Sequence, residues 1–205
     1  MEKVLTILVC GYIGSGKSTF VELVAEKLNN SDLLKEKGTK VIIYNCDDIA
    51  KDLYLDKKFK GLILRNSYFV GKDIFDGDFV SAEKLKSYFF NDEFRHRFEM
   101  IVHSIVFEYI ACSIEASDNN VINIVETALP SGKKYFDIDI SVWVWRDFDL
   151  RYASLRKSKN YSLEKFEKIN SIQEAYEKRY KNCDIIFENN GSKEDLVKCL
   201  LKIKI

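Results

Sequence analysis

The chain has 205 residues, of which 46% are hydrophobic and 31% are charged, so it can bury a sizeable core within one large domain. This composition excludes a mostly disordered chain. Lysine plus arginine and aspartate plus glutamate each number 32, which gives a formal net charge of +0. Because no overall field attracts anionic polymers or surfaces, we expect no nucleic acid partner and no membrane partner, and any anion site must be local.

The first predicted elements are a strand and a helix joined by a glycine-rich loop. Val4 to Cys10 is a short continuous apolar run, the pattern of a strand buried on both faces of a parallel sheet. From Ser18 to Leu28 apolar residues recur at helical spacing, and Asn29 to Ser31 ends that pattern. The apolar run is too short to span a membrane and no targeting signal is visible, so we expect a cytoplasmic location.

The joining loop reads G-Y-I-G-S-G-K-S and satisfies the pattern G-x-x-x-x-G-K-[ST] of phosphate-binding loops. Its glycines let backbone N–H groups converge on a β-phosphate, Lys17 brings a positive charge to the β- and γ-phosphates, and Ser18 is placed to bind Mg²⁺. We therefore predict ATP and Mg²⁺ as cofactors, with Lys17 catalytic and Ser18 the metal ligand. The predicted nucleotide-binding residues here are Gly11, Ile13, Gly14, Ser15, Gly16, Lys17, Ser18 and Thr19. The alternative, a glycine-rich turn with a solvated lysine, does not require this residue order.

A second strand and a long helical region follow. Lys40 to Tyr44 is predicted to be a strand, and Asn45 to Asp48 lie at its carboxyl end, where ligands gather in open sheets. From Ile49 to Ser117 the pattern is mainly helical, interrupted by a turn at Asp76 to Asp78, with the longest predicted helix at Glu93 to Glu115. We interpret residues 51–118 as a substrate-side helical insertion in a single domain, whose core is about 1–50 and 119–205.

Three more strands complete the predicted sheet. They are Val121 to Val125, Ile138 to Trp145 and Asp184 to Phe187. Residues 147–162 are rich in arginine, lysine and polar residues, and we interpret them as a mobile lid. Helices are predicted at Leu163 to Lys181 and Ser192 to Lys202. Strands alternating with helical patterns predict an α/β fold with a five-stranded parallel sheet flanked by helices.

Several segments, in order, resemble the dephospho-coenzyme A kinase family, which has the P-loop kinase fold. After the phosphate loop, Ile43 to Ala50 resembles the family's V-I-D-A-D-x-I-A, and Phe69 to Gly77 is similar to its F-G-x-x-[I/L]-x-x-D-G. Val125 to Pro130 falls where the family carries P-L-L-[FVY]-E after a strand. Ser162 to Gly191 is similar to the family's S-x-E, R-I, Q and A-D-x-[VI]-I-x-N-x-G elements.

The resemblance implies an ATP-dependent kinase that phosphorylates the ribose 3′-hydroxyl of dephospho-CoA. Asp47 matches the second Asp of the family motif, the proposed general base. Arg151 and Arg156 are the nearest counterparts of the family's lid arginines, and we expect Arg151 to bind the nucleotide and Arg156 to act in catalysis. Asn189 and Gly191 match the turn that lines the adenine pocket.

Alternatives stay open at these positions. An N-cap of the helix that starts near Ile49 is the other interpretation of Asp47, although Asp48 fits that role equally. The arginines also fit a solvated basic loop. Asn45 replaces the first Asp of the family motif, and no arginine follows Gly77 in the family's position. These departures leave open a nucleoside or nucleotide kinase, or an ATP-binding regulator without transfer activity.

Overall fold

The computed structural model describes residues 4–128, 134–174, 182–192 and 194–195. The strands are β1 (Leu5–Cys10), β2 (Lys40–Asn45), β3 (Phe75–Asp76), β4 (Phe79–Val80), β5 (Val121–Glu126), β6 (Ile140–Trp145) and β7 (Ile185–Glu188). The helices are α1 (Lys17–Asn29), α2 (Asp32–Glu36), α3 (Cys46–Tyr54), α4 (Lys57–Leu64), α5 (Ala82–Tyr88), α6 (Asp92–Glu115), α7 (Phe148–Lys159) and α8 (Leu163–Glu174). None of the helices in these described ranges is long and apolar enough to cross a membrane.

The chain forms two compact units. Unit 1 is drawn from Met1–Tyr44 and Ile114–Ile205, and unit 2 is Asn45–Ser113. The predicted helical insertion, residues 51–118, overlaps unit 2 for most of its length. Unit 1 therefore holds the sheet and the phosphate loop, while unit 2 is helical apart from one short hairpin.

Unit 1 is built on a five-stranded parallel sheet with the strand order β2-β5-β1-β6-β7. β1 lies at the centre, with Ile7 opposite Ile124 of β5 on one side and Ile140 of β6 on the other. Every residue of β5 is buried, as is every residue of β1 after Leu5. The mostly apolar runs of the sequence form these strands because parallel strands are covered on both faces. The predicted sheet is confirmed.

One face of the sheet packs against α1. The buried apolar residues on this face of α1 are Phe20, Val21, Val24, Ala25 and Leu28. They meet alternate residues of the three central strands, among them Val9, Ile124 and Val144. Alternate residues of a strand point to the same face of the sheet. Packing against these residues holds α1 on that face, directly after the end of β1.

Residues 147–162, which were predicted to be a mobile lid, are largely helical. α7 covers most of this stretch and ends at Asn160, which has a φ of 52° in the left-handed region. α8 follows, and its fully buried Phe166 lies with its ring centroid 4.8 Å from that of Phe148 at the start of α7. The predicted helix at Leu163 to Lys181 is present as far as Glu174, and the rest of it lies outside the described residues. The predicted helix at Ser192 to Lys202 falls almost wholly outside them.

Unit 2 has an aromatic core. Phe59, Phe69, Phe94 and Phe98 are buried, and ring centroids within the group lie 5.4 to 6.5 Å apart. Aromatic pairs at these separations contribute packing energy beyond the area they bury. The aromatic residues of α6 that the helical pattern places on one face therefore form a core.

The turn predicted at Asp76 to Asp78 is the tip of the antiparallel β3–β4 hairpin. Gly77 has a φ of 60°, which a glycine adopts at no steric cost. Lys84 holds the hairpin, because its Nζ lies 2.8 Å from Asp73 Oδ1, 2.9 Å from Asp76 Oδ1 and 2.6 Å from the Phe75 carbonyl oxygen.

Candidate active site

The loop between β1 and α1 presents an uncapped helix N-terminus. α1 begins at Lys17, and its N-cap Gly16 makes no side-chain hydrogen bond to the first turn. The first N–H groups of a helix have no acceptor within the helix, and partial positive charge gathers there. Gly16 has a φ of 89°, a conformation that residues with a Cβ rarely adopt. An anion such as a phosphate group is the ligand that suits this terminus.

Gly14 and Gly16 allow close packing around the loop. A Cβ on Gly14 would lie 2.9 Å from the Arg151 carbonyl oxygen and 3.0 Å from Leu155 Cδ1, and Gly14 has a φ of 76°. A Cβ on Gly16 would overlap the side-chain amide nitrogen of Asn189. The loop therefore lies directly against α7 and against the residue that follows β7.

Asn189 is bonded to the loop. Its Nδ2 donates to the Ser15 carbonyl oxygen at 2.8 Å, and its backbone N–H donates to the Trp145 carbonyl oxygen at 2.8 Å. Both Asn189 and Ser15 are buried. Sequence matching predicted that Asn189 and Gly191 would line an adenine pocket, and the structure brings the Asn189 side chain to the phosphate loop itself.

Ser18 and Glu126 are brought together. The Ser18 hydroxyl donates to Glu126 Oε1 at 2.7 Å, and Glu126 is only 7% exposed at the end of β5. A hydroxyl and a carboxylate side by side are the oxygen donors that Mg²⁺ takes alongside phosphate oxygens. Glu126 was not predicted to act at the metal. The sequence signal was an acidic residue that ends a buried strand, since ligands gather at the carboxyl ends of such strands.

Two other predicted residues of the loop lie in the first turn of α1. Lys17 Nζ is 3.3 Å from the Tyr12 carbonyl oxygen, so its side chain folds back along the loop. Thr19 is half-buried in the first turn of α1. Across residues 4–128, 134–174, 182–192 and 194–195, no three His, Cys, Asp or Glu side chains group into a metal site of their own.

Arg151 and Arg156 occupy contrasting positions on α7. Arg151 is 3% exposed, its guanidinium carbon lies 4.9 Å from the Tyr12 ring centroid, and its Nε donates to the Arg146 carbonyl oxygen at 3.1 Å. Burial lowers the pKa of Arg151, and Tyr12 and Glu174 oppose that shift. Arg156 is exposed in the last turn of α7. Arg151 thus packs against the loop, whereas Arg156 is open to solvent.

Asp47, in unit 2, is not a helix cap. Asn45 is the N-cap of α3, and its Oδ1 accepts hydrogen bonds from the N–H groups of Asp47 at 3.0 Å and Asp48 at 3.1 Å. The Asp48 carboxylate pairs with Lys51 at 2.5 Å. The interpretation of Asp47 or Asp48 as the cap is therefore wrong, because the asparagine that replaces the family's first Asp takes that role.

Asp47 lies near two titratable groups of unit 2, Tyr54 and His103. Burial raises the pKa of Tyr54 to about 12, and the charges of Asp47 and Glu99 add to the shift. Burial lowers the pKa of His103, and the charge of Asp47 opposes it. A neutral imidazole and a neutral phenol therefore share the surroundings of the Asp47 carboxylate at neutral pH.

The sequence model of the dephospho-CoA kinase family matches residues 5–195 of the chain. The chain belongs to the dephospho-CoA kinase family. It is therefore a kinase. No curated protein matches it by sequence.

Solved structures share the fold at low sequence identity. The crystal structure of TT1252 from Thermus thermophilus is 21% identical, with a TM-score of 0.69 over 97% of this chain and 95% of that one. Dephospho-CoA kinase from Campylobacter jejuni is 22% identical, with a TM-score of 0.54 over 96% and 94%. Shikimate kinase from Acinetobacter baumannii, in complex with shikimate, is 15% identical, with a TM-score of 0.52 over 98% and 93%. These likenesses confirm the P-loop kinase fold.

The packing around Gly14 generates a first prediction. Gly14→Ala should weaken Mg·ATP binding roughly tenfold or more, because a Cβ at a φ of 76° presses on the Arg151 carbonyl and Leu155 and displaces the loop amides. Isothermal titration calorimetry with Mg·ATP measures this change. Gly61→Ala is the matched control, since a Cβ there meets nothing within 4 Å and α4 gains helix propensity. Equal affinities for the two variants would contradict the packing argument.

A second prediction concerns the pH dependence of stability in unit 2. Burial raises the pKa of Glu99 above its ordinary 4.5, against the opposing charges of Arg95 and His96. The folded state thus favours the protonated carboxyl, and stability declines as the pH rises through the raised pKa. Glu99→Gln, which stays neutral, should be more stable than the wild type at pH 7 and should lose that advantage below pH 4.5 in urea denaturation.

Glu108 supplies the control for this measurement. It lies exposed on the same helix, so Glu108→Gln should change the free energy of unfolding little at either pH. The interpretation fails if Glu99→Gln has the same stability as the wild type at pH 7.

Proposed function

We propose that this kinase transfers the γ-phosphoryl group of ATP to the ribose 3′-hydroxyl of dephospho-CoA, which yields coenzyme A. The observation that carries the proposal is the uncapped N-terminus of α1 behind Gly16 and Lys17, in a chain of the dephospho-CoA kinase family. Phosphoryl transfer leaves little covalent work to the protein, so positioning and neutralisation of charge supply the catalysis.

The phosphate loop and Mg²⁺ are proposed to hold the triphosphate. The loop amides and Lys17 bind the β- and γ-phosphates, and Ser18 binds Mg²⁺ with Glu126 beside it, since the two oxygens lie 2.7 Å apart. Bound Mg²⁺ would neutralise charge that develops on the phosphate oxygens. The exposed Arg156 is proposed to contact the phosphoryl group that is transferred, because a planar guanidinium can donate two hydrogen bonds to phosphate oxygens.

Arg151, Asn189 and Gly191 are proposed to serve the nucleotide from the side of the loop. The Arg151 guanidinium is buried against Tyr12, so its positive charge acts close to the phosphates. Asn189 is bonded to the Ser15 carbonyl, and the turn it begins, through Gly191, is the proposed wall of the adenine pocket.

Asp47 is the proposed general base for the acceptor hydroxyl. Asn45 caps α3, so the Asp47 carboxylate has no capping bond to make. Asp47 also occupies the position of the second Asp in the family motif. A carboxylate within hydrogen-bond reach of a hydroxyl can orient it and accept its proton.

The acceptor is tested by a coupled assay of ADP release with dephospho-CoA, adenosine and common nucleoside monophosphates. The proposal expects release to be stimulated by dephospho-CoA, with the new phosphate on the 3′-oxygen by phosphorus NMR of the product. Stimulation by a nucleoside or nucleotide alone would assign a different acceptor. Binding of ATP without release for any acceptor would instead make the protein a nucleotide-binding regulator.

The base is tested by a pair of neighbouring substitutions. Asp47→Asn should lower kcat roughly 100-fold or more, because removal of a general base typically costs this much, while the affinity for Mg·ATP changes little. Asp48→Asn is the control, since the Asp48 carboxylate pairs with the exposed Lys51 and should leave kcat within a few-fold of wild type. Turnover by Asp47→Asn at the control's rate would exclude Asp47 as the base.

A further inference from the structure

The N–H group of Ile13, at the third position of the phosphate loop, is held by a side chain from a distant part of the chain. Gln173 of α8 accepts the hydrogen bond through Oε1 at 2.8 Å, across 160 residues of sequence. The bond is partly buried, and its donor is a backbone amide, so the side-chain amide of Gln173 must turn its oxygen toward the loop. A bond of this kind exists only when the loop and α8 are both in place.

The groups on either side of this bond are also engaged. The Ile13 carbonyl oxygen lies 3.5 Å from Nη1 of the buried Arg151, and the next residue, Gly14, packs on the Arg151 carbonyl. Further along, the Ser15 carbonyl accepts from Asn189. Side chains of α7, of α8 and of the residue after β7 therefore hold successive peptide groups of the loop.

The loop needs such restraint because of its glycines. Gly14 and Gly16 both adopt left-handed conformations, and a glycine moves among backbone conformations more freely than any other residue. A rotation of the Tyr12–Ile13 peptide would be passed on through Gly14 to the amides that face the phosphates. The side chain of Ile13 is purely apolar, so it offers no hydrogen-bonding group that could hold this peptide.

We propose that Gln173 is a positioning residue for the nucleotide: its bond to the Ile13 N–H sets the orientation of the loop amides for the triphosphate. The inference rests on the ATP-dependent function proposed above. It makes α8 part of the phosphate site although Gln173 itself touches no phosphate. A merely structural bond would add to the stability of the fold, whereas a positioning bond acts on the affinity for nucleotide.

The experiment compares Gln173→Met with the wild type. Methionine keeps the length and nearly the volume of the side chain but removes the amide oxygen. The dissociation constant of Mg·ADP, measured by calorimetry, should rise about tenfold, which equals about 1.4 kcal/mol, the scale of one hydrogen bond. The KM for ATP should rise with it, while kcat at saturating ATP stays within a few-fold of wild type.

Hydrogen exchange gives a readout that does not depend on activity. The Ile13 amide, followed by NMR in the free protein, should exchange faster in Gln173→Met and stay protected in Gln173→Glu, which keeps an acceptor oxygen at the same length. Glu167→Gln is the control on the same helix, since Glu167 is exposed and its variant should match the wild type in both measurements. The side chain of Gln173→Asn is too short to reach Ile13, so this variant should behave as Gln173→Met does. It takes the place of the methionine variant if that variant folds poorly.

The outcomes separate the inference from the proposed function. An unchanged affinity for Mg·ADP in Gln173→Met and Gln173→Asn, or unchanged exchange at Ile13, overturns the inference. Failure of dephospho-CoA to stimulate ADP release overturns the proposed acceptor and leaves the role of Gln173 standing. A wild-type chain that binds no nucleotide overturns both.

Discussion

The structure of unit 1 depends on one helix N-terminus that has no side-chain cap. α1 starts behind a glycine that offers no side chain to its first turn, so several N–H groups have no acceptor in the helix. Burial of such a terminus without a hydrogen-bond acceptor costs free energy, whereas a bound anion accepts from these N–H groups and is stabilised by them. Because β1 is the central strand, the loop that follows it lies at the middle of the sheet edge. The apolar face of α1 packs against Val9, Ile124 and Val144 and holds the helix there. Sheet order and core packing thus both serve to hold a cluster of amides in one place.

The sheet could be predicted from the sequence, and so could the phosphate loop. β1 and β5 are mostly apolar runs in the sequence, a pattern typical of strands covered on both faces. The loop motif is local, so its chemistry can be inferred without knowledge of the fold. The partners of the loop could not be predicted. Gln173 and Asn189 reach Ile13 and Ser15 across 160 and 174 residues, and a single sequence carries no signal for such a pairing.

Two features of the structure have physical causes that local sequence patterns did not show. Residues 147–162 carry many charges and were predicted to be a mobile lid. The buried Arg151 and Leu155 give this segment one inward helical face, and α7 forms over most of it. Asn45 departs from the family's first Asp, yet an asparagine oxygen accepts N–H groups as well as a carboxylate does. That departure therefore preserves the start of α3 and leaves Asp47 in the family's position, so it is no argument against a dephospho-CoA acceptor.

The two arginines of α7 differ because of helical spacing. Arg151 and Leu155, four residues apart, are the buried residues of α7 that meet the loop, and Arg156 is exposed to solvent. Burial lowers the pKa of Arg151, but a guanidinium stays charged in a protein, so a positive charge is kept among the rings of Tyr12, Phe148 and Phe166. A cation in such surroundings is screened less than one in solvent. Its field acts on whatever the loop binds, and an anion with several charges gains most from it. The buried charge of Arg151 therefore favours a multiply charged anion over a singly charged one at the loop.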